Sequence, residues 1–392
     1  MKKNEPYILW LPSWYPSKIE PYNGDFIQRH AKAASLFNNI HVIYIIKDST
    51  GIITKTVSKE NYELGQLQET LIYYYITPGK FKLLQSFKSI KKYVSLYLRA
   101  IKEVIQKDGK PQLIHLYIAY KAGLLALYTH YRYKIPYVIS EQWTIYLKEA
   151  RPNFWNFPVY KQTLIKKIFA KASDVMVVSN YLGSYLHNTF QIPKPILIPN
   201  VVDANVFRYA LPEIQNLNRF VHISNLNYQK NPEDIIKAFA LVKEKGYKFE
   251  LDIIGPESME LKGLVNYYKM TEHIHFHNEM PQTKLVNFIQ GSKGLILFSR
   301  YETFGCVVIE ANACGVPVIA SDIPVLHENI EEGVNGIFAT SGDPVDLASK
   351  IVQVIEGIPL YDQEQLSIYT LQKYSLENAG RQFHNWYNQN LN

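Results

Sequence analysis

Cysteine is almost missing: the 392 residues hold two, Cys306 and Cys314. That excludes a disulfide scaffold, and no Cys-x-x-Cys spacing supplies a zinc or thiol-redox pair. Long apolar runs are missing too. None approaches the roughly 18 residues of a membrane span. The start, Met1-Lys2-Lys3-Asn4-Glu5-Pro6, is basic but meets Pro6 and then only the short run Tyr7–Leu11. That run reads as a first strand, not a signal peptide. Solenoid-period repeats and low-complexity tracts are absent. These absences predict a cytoplasmic protein in a reducing compartment.

Apolar residues make up 47% and charged residues 20%, ordinary globular usage that excludes disorder and collagen-like repeats. The length suits two or three domains at roughly 100–200 residues each. The net charge of +7 is divided unevenly: residues 1–200 carry 27 Lys and Arg against 12 Asp and Glu, and the remainder 15 against 23. Such asymmetry predicts an anionic surface or polymer facing the N-terminal half. The densest basic stretch is Lys80–Lys110, where Phe87, Ile90, Val94, Tyr97, Leu98, Ile101 and Ile105 recur at helical spacing. It reads either as a helix lying on an anionic membrane or as a surface helix with a Lys-rich solvated face. Nucleic acid is not expected as a partner, because the aromatics sit inside strand-like runs and not in a stacking array.

Short apolar runs alternate with helical patterns along the chain. Strands are expected at Tyr7–Leu11, His41–Ile46, Leu71–Ile76, Leu113–Ile118, Tyr137–Ser140, Val175–Ser179 and Ile196–Ile198. A second set is expected at Phe220–Ser224, Phe249–Gly255, Ile274–His277, Gly294–Phe298, Pro317–Ala320 and Gly336–Ala339. Helices are expected over Phe26–Phe37 and Lys121–Arg132, and after Pro232, Met259, Gln282, Gly305, Pro324 and Pro344. The fold class predicted is α/β: two Rossmann-like, doubly wound parallel-sheet domains facing across a cleft. The boundary falls near Val202–Asn218, where Pro212 interrupts weak periodicity. Open α/β sheets bind ligands at the carboxyl ends of their strands, so the chemistry is sought at strand-to-helix junctions.

The most informative junction runs Leu297-Phe298-Ser299-Arg300-Tyr301-Glu302-Thr303-Phe304-Gly305. A buried strand ends, a loop carries Glu302, and a helix opens near Gly305 and stops at Gly315-Val316-Pro317. A helix N-terminus can hold a phosphate, and glycine lets a ligand approach the backbone. Glu310 lies inside an apolar, small-residue helix, where a carboxylate needs a partner. A ribose diol is one candidate; simple exposure to solvent is the alternative.

The stretch Glu302–Ser321 resembles the E-x7-E signature of the family-four retaining glycosyltransferases, which have the GT-B fold. Glu302-Thr303-Phe304-Gly305, Glu310-Ala311-Asn312-Ala313-Cys314-Gly315 and Val316-Pro317-Val318-Ile319-Ala320-Ser321 carry the match. The resemblance implies that Glu302 sits by the donor sugar. It also implies that Thr303, Phe304, Gly305, Cys306 and Val307 meet sugar and phosphate, and that Glu310 binds the ribose. Ile198-Pro199-Asn200-Val201-Val202-Asp203 resembles the family's junction signature, with Val201 where glycine is usual. Leu251-Asp252-Ile253-Ile254-Gly255 resembles the strand end at which Gly255 borders the nucleotide.

Departures from the family pattern are concentrated at two places. Ser224-Asn225-Leu226-Asn227-Tyr228-Gln229-Lys230 keeps the phosphate-clamping Lys as Lys230 but has Asn225 where Arg is usual. An Asn donates only neutral hydrogen bonds, and charge-assisted bonds are roughly twice as strong. Arg300 is considered as a substitute cation. Asn231-Pro232 then reads as the cap and first residue of the next helix. On the acceptor side, Ile114-His115-Leu116-Tyr117 and Ser140-Glu141-Gln142-Trp143 have Tyr117 and Gln142 where the family has histidines. His115 is either an acceptor-side residue or a core histidine. Glu141 is either an acceptor-side carboxylate or a strand-end cap. Gly24, ahead of the Asp25-Phe26-Ile27-Gln28-Arg29-His30 helix, is assigned to phosphate or acceptor contact.

The resemblance divides the chain into an acceptor-side domain over 1–202, a nucleotide-sugar-binding domain over 203–370 and a helix over 371–392 that packs back on the first. It implies a retaining hexosyl-type transferase with Glu302 and Lys230 as catalytic residues. The nucleotide-diphosphate sugar, UDP-linked first and GDP-linked next, is a co-substrate, and no cofactor is expected. No Asp-x-Asp motif sits at a suitable junction, so metal independence is expected. A saccharide acceptor, foremost a lipid-diphosphate-linked one in surface polysaccharide or glycoconjugate synthesis, is the expected partner. An anionic face of the cell membrane is a second expected partner. A small soluble acceptor and a noncatalytic nucleotide-sugar binder are the alternatives.

Overall fold

Runs rich in Ile, Val, Leu and Tyr become strands buried along nearly their whole length, as central strands covered on both faces must be. The computed structural model describes residues 5–53, 55–77, 81–210 and 218–391. The expected features at Met1–Asn4, Lys80 and Pro212 lie outside these residues. The first sheet contains β1 (Ile8–Pro12), β2 (Ile40–Lys47), β3 (Val57–Leu64), β4 (Leu67–Tyr74), β5 (Leu113–Tyr117), β6 (Tyr137–Glu141), β7 (Val175–Val177) and β8 (Ile196–Leu197). Its order is β3-β4-β2-β1-β5-β6-β7-β8. The second contains β9 (Arg219–Ile223), β10 (Glu250–Ile254), β11 (Ile274–His277), β12 (Gly294–Leu297), β13 (Val318–Ser321) and β14 (Gly336–Ala339), in the order β11-β10-β9-β12-β13-β14. Every pairing is parallel except β3 with β4.

Helices cover both faces. In the first half they are α1 (Asp25–Ala34), α2 (Lys82–Asp108), α3 (Gly123–Tyr133), α4 (Val159–Lys171) and α5 (Asn180–Phe190). In the second they are α6 (Pro232–Glu244), α7 (Met259–Tyr267), α8 (Gln282–Gln290), α9 (Cys306–Ala313), α10 (Pro344–Ile355) and α11 (Gln363–Lys373). The last helix, α12 (Leu376–Leu391), opens with the Ser375 hydroxyl accepting the Asn378 N–H at 3.1 Å. It crosses back to the first sheet, where Phe383, Trp386 and Tyr387 join one core with Ile8, Trp10, Ile27 and Ala31. Among the described residues no helix is long and apolar enough to cross a membrane.

Four expectations are corrected. The strand β3 was not anticipated: its sequence, VSKENYEL, is polar because it lies at the sheet edge, where charged side chains blunt further pairing. The helix expected after Pro324 is a single 3-10 turn, Leu326–Glu328. In α2 only the C-terminal half of the apolar stripe is core; Tyr97 and Ile101 are buried, whereas Phe87 and Ile90 are well exposed. Asn231 stands at the start of α6 in the left-handed region, with φ 54°. Its amide donates to Asp234 at 3.0 Å and so does not cap the helix.

The two halves touch at several points. The Val202 N–H donates to the Tyr374 carbonyl at 3.0 Å, so the two chain crossings between halves run side by side. Glu328, from the 3-10 turn, accepts the N–H groups of Asn180 at 2.7 Å and Tyr181 at 2.8 Å. It thereby caps the positive end of α5 in the opposite half.

Candidate active site

A cleft of about 660 Å³ opens between the carboxyl ends of the two sheets. Asn225, Lys230, Gly255, Glu302, Thr303, Phe304, Gly305, Cys306, Val307 and Glu310 all line it. The structure therefore gathers every donor-side residue singled out in the sequence except Gly24.

The wall from the second half is built by two strand-end loops. After β12 the chain turns through Glu302 and enters α9 at Gly305, whose φ of 83° lies in the region that favours glycine. The Asn329 amide holds the Phe304 carbonyl at 2.8 Å, fixing the loop below the helix end. Glu302 is nearly buried; its carboxylate accepts the Ser299 hydroxyl at 2.9 Å and forms an ion pair with Lys230. After β9 the loop runs from Ser224 to Lys230. Its geometry begins with buried His222, whose Nδ1–H donates to the Ile296 carbonyl at 2.9 Å. That leaves Nε2 to accept the Ser224 hydroxyl at 2.8 Å, and the Ser224 oxygen accepts the Leu226 N–H at 3.0 Å. Gly255 lies against this turn so closely that a Cβ there would come within 2.2 Å of the Ser224 carbonyl oxygen. The two loops are joined: the Gln229 amide donates to the Tyr301 carbonyl at 3.0 Å, and the Arg300 N–H to the Gln229 carbonyl at 2.8 Å.

Arg300 does not replace the missing cation. Its guanidinium bonds the Tyr228 carbonyl at 2.6 Å and stacks 4.3 Å above the Tyr228 ring, away from the cleft lining. Besides Lys230, the cations lining the cleft are Arg151 and Arg29, both from the first half, and Arg29, on α1, is the one that faces Glu310. Its Nη1 lies 2.8 Å from Glu310 Oε1, and both side chains are buried. Burial alone would lower the Arg29 pKa, but the Asp25 and Glu310 carboxylates more than offset this and raise it. Burial raises the Glu310 pKa, with Arg29 opposing. In the sequence Arg29 stands inside the helix motif Asp25-Phe26-Ile27-Gln28-Arg29-His30 without a spacing that marks it as functional. The available signal was its place four positions after Asp25, which puts the two charged side chains on one face of α1.

Gly24 is corrected. It is buried, absent from the cleft lining, and has φ 78°. A Cβ would lie 2.8 Å from the Trp14 carbonyl carbon, so glycine is needed for packing under the Trp14–Tyr15 backbone. The groups that α1 presents to the cleft are Asp25, Phe26 and Arg29. Asp25 accepts the Gln282 amide from the other half at 2.6 Å.

Of the acceptor-side set, only Gln142 reaches the cleft. His115 is a core histidine: fully buried, it bonds the Tyr387 hydroxyl at 2.7 Å and the Ser140 hydroxyl at 2.6 Å, and packs against Trp10. Glu141 is a strand-end cap. Its carboxylate accepts the N–H groups of Ala119, Gln142 and Trp143, each at 3.0 Å, and the Tyr146 hydroxyl at 3.2 Å. Burial nevertheless pushes its pKa up to about 7, against the pull of those donors. Tyr117 is buried beneath the floor and does its work through a relay. His30 Nε2–H donates to the Pro199 carbonyl at 2.9 Å, so its Nδ1 accepts the Tyr117 hydroxyl at 2.6 Å. The Tyr117 oxygen in turn accepts the Gln142 amide, and Gln142 exchanges two 3.0 Å bonds with Asn200. The relay fixes the two amides that face the cleft. Among the described residues no three His, Cys, Asp or Glu are grouped as a metal ion would need.

Comparisons with known proteins fit this geometry. The family described as glycosyl transferases group 1 matches residues 205–367, and that described as glycosyltransferase family 4 matches residues 55–206. A similar protein, N-acetyl-alpha-D-glucosaminyl L-malate synthase of Bacillus anthracis, is 28% identical over 48% of this chain and 52% of its own length. Alpha-monoglucosyldiacylglycerol synthase of Streptococcus pneumoniae is 23% identical over 72% of this chain and 67% of its own. Sucrose-phosphate synthase from Thermosynechococcus elongatus shares the fold with a TM-score of 0.77 at 18% identity, covering 98% of both chains. Anabaena HepE in complex with UDP superposes with a TM-score of 0.73 at 16% identity, over 98% of this chain and 100% of that one.

Proposed function

The chain belongs to the family-four glycosyltransferases of GT-B fold, and from that premise we propose that it is a retaining enzyme that moves a sugar from a UDP-sugar to a lipid-linked saccharide without a metal ion. The observation that carries the reading is the Lys230–Glu302 ion pair, with Glu302 on the loop that leads into α9, lining the same cleft between two sheets as Glu310. An anionic diphosphate fits between Lys230 and the helix end, which together supply a charge and partial positive charge. Glu310 meets the ribose hydroxyls. Arg29, paired with Glu310 in the cleft wall, supplies positive charge on the side of the site where Asn225 supplies none.

In the reaction the bond between the anomeric carbon and the diphosphate oxygen breaks, and a bond to the acceptor hydroxyl forms on the same face. The acceptor proton passes to the departing diphosphate oxygen. This route needs no separate base, in keeping with a cleft in which the Glu302 carboxylate is already engaged by Lys230 and Ser299. Preorganised donors at the developing phosphate charge contribute a few kcal/mol each, on the order of 3. UDP is favoured as the nucleotide because HepE, of the same fold, is recorded with UDP. A lipid-linked acceptor is favoured by the basic first half and by the S. pneumoniae relative, whose name gives it a glycolipid product.

The test is slow donor hydrolysis across UDP-, GDP- and ADP-sugars with EDTA present, comparing wild type with Glu310→Ala. Nucleotide release from one donor, lost in the variant, supports the reading and names the donor. Release that requires added Mg²⁺ removes metal independence. Absence of both release and binding for every donor removes the transferase reading.

A further inference from the structure

A second cavity, about 540 Å³, opens on the first half between α2, α3, α4 and the ends of β2 and β4. Its walls are apolar, with Ile46, Val94, Leu125, Leu164, Ile165 and Ile168 among the lining side chains. Its rim is apolar as well and faces outward. Ile90 is 62% exposed, Leu124 43% and Tyr160 69%, and Phe87 and Val159 extend the same surface. An apolar hollow with an apolar exposed rim is a binding surface in a protein of ordinary composition. The charged groups at its mouth are Lys47, Lys121 and Lys161 against the single carboxylate of Glu20. Lys121 has no ion-pair partner among the described residues, and Lys161 lies 5.9 Å from the Tyr120 ring centre and 5.6 Å from that of Phe157.

The position of this groove relative to the cleft gives it a purpose. Ser13 lines the groove and Trp14 lines the cleft. Tyr120 lines the groove and Trp143 lines the cleft, and their rings stand 5.1 Å apart. One aromatic layer therefore separates the apolar hollow from the place where the acceptor hydroxyl must sit. A molecule with a hydrocarbon tail, an anionic linkage and a saccharide head matches the order of surfaces: apolar groove, lysine rim, amide-lined cleft.

We propose that this groove is the binding site for the hydrocarbon chain of the acceptor's lipid anchor, with Lys121 and Lys161 meeting its anionic linkage and the saccharide passing over Tyr120 and Trp143 into the cleft. The proposal rests on the lipid-linked acceptor reading above and gives it a location. The exposed half of α2 then has a reason to be apolar: it faces the layer from which the tail is drawn.

The probe is dodecyl phosphate, held below its micelle concentration and titrated calorimetrically into the full chain, with inorganic phosphate and UDP titrated separately. The expected result is saturable binding of dodecyl phosphate and none of inorganic phosphate at the same concentration. Ile90→Glu and Leu124→Glu, both at exposed rim positions that leave the core intact, are each expected to weaken that binding at least tenfold. Val345→Glu, exposed on the other half, is expected to leave it unchanged. UDP binding with no dodecyl phosphate binding overturns the groove and leaves the transferase reading standing. Equal binding by the rim variants and wild type also overturns it. A wild-type dimer that the rim variants dissociate assigns the groove to a second copy of the chain instead. Failure of UDP to bind is the separate failure of the transferase reading.

Discussion

Arg29 and Glu310 face one another across the cleft at 2.8 Å, one on the first helix of the first half and the other on the helix that carries the family signature of the second. Both are buried, so neither can lose its partner cheaply. Removing one member of a buried pair costs about 3–5 kcal/mol, while replacing both with apolar residues is often neutral. Arg29→Met alone is therefore expected to lower unfolding free energy by roughly that range. The Arg29→Met/Glu310→Met double variant should recover most of the loss. Urea unfolding of the three variants checks this, and a double variant as unstable as the sum of the singles rejects the pairing.

The donor side of the site was legible in the sequence because it depends on local chain geometry. Gly305, Glu302 and Glu310 belong to one strand-loop-helix unit, and their spacing alone puts them around one helix end. Arg29 was not legible because it meets Glu310 only through tertiary contact, 281 positions away in the chain. The acceptor side misled for the opposite reason. His115 and Glu141 sit at strand ends where ligands bind, but burial turned both inward, one to Tyr387 and the other to backbone N–H groups. The strand β3 escaped notice since an edge strand needs no apolar alternation, and its polar sequence resembles a loop.

Lys230 is expected to matter more for turnover than for affinity. Its ammonium is paired with the Glu302 carboxylate, so ground-state binding of the diphosphate must compete with that pair. In the transition state the leaving diphosphate gains charge and wins the competition. Lys230→Gln should lower kcat by roughly 10²–10³ with a smaller change in KM. Steady-state donor hydrolysis separates the two constants, and a change confined to KM contradicts the role.

Asn225 stands exposed in the lining of the cleft, at the position where the family pattern has an Arg. Hydrogen bonds to charged groups are worth about 1.5–3 kcal/mol against about 1 for neutral ones. Asn225→Arg is thus expected to tighten UDP binding roughly tenfold or less, and to weaken its dependence on Arg29. Calorimetry on Asn225→Arg with and without Arg29→Met tests this. No gain in the single variant means that Arg29 already satisfies the diphosphate.

Gly255 is fixed by space. The 2.2 Å approach of a Cβ to the Ser224 carbonyl is one that no rotamer relieves, because the obstacle is backbone. Gly255→Ala must push the loop from Ser224 to Lys230 away from β10, and Lys230 moves with it. The expected result is a loss of unfolding free energy of about 1–3 kcal/mol together with a fall in donor affinity. Gly263→Ala, inside α7 where a Cβ meets nothing within 4 Å, is the control: it is expected to leave donor affinity unchanged and to raise unfolding free energy by about 0.5–1 kcal/mol.

Acid should destabilise the protein well before its carboxylates titrate. Burial lowers the pKa of His30 to about 3 and those of His41 and His222 to about 4, and holds that of His115 well below its ordinary 6.5. Each contributes stability that is complete above the unfolded value and is lost as the pH falls through the window down to the folded value. Glu141, raised by burial to about 7, works the other way. Its contribution is complete below its unfolded value near 4.5 and is lost as pH rises through 7. Burial raises Glu310 in the same direction, so between these limits the unfolded chain takes up one proton for each of four histidines while the folded chain retains protons on at most two carboxyl groups, Glu141 and Glu310. Each net proton is worth about 1.4 kcal/mol per pH unit. The four histidines outnumber the two carboxyl groups, so unfolding free energy should fall on going from pH 7.5 to 5.5, by about 2–4 kcal/mol at most. His222 also shapes the donor loop through Ser224, but in the folded chain it takes a proton only near pH 4, so nucleotide affinity should hold between pH 7.5 and 5.5. Urea unfolding and UDP titration at the two pH values read both effects. Greater stability at pH 5.5 would show that the histidines are not held neutral by burial, and the Ser224 loop would need another anchor.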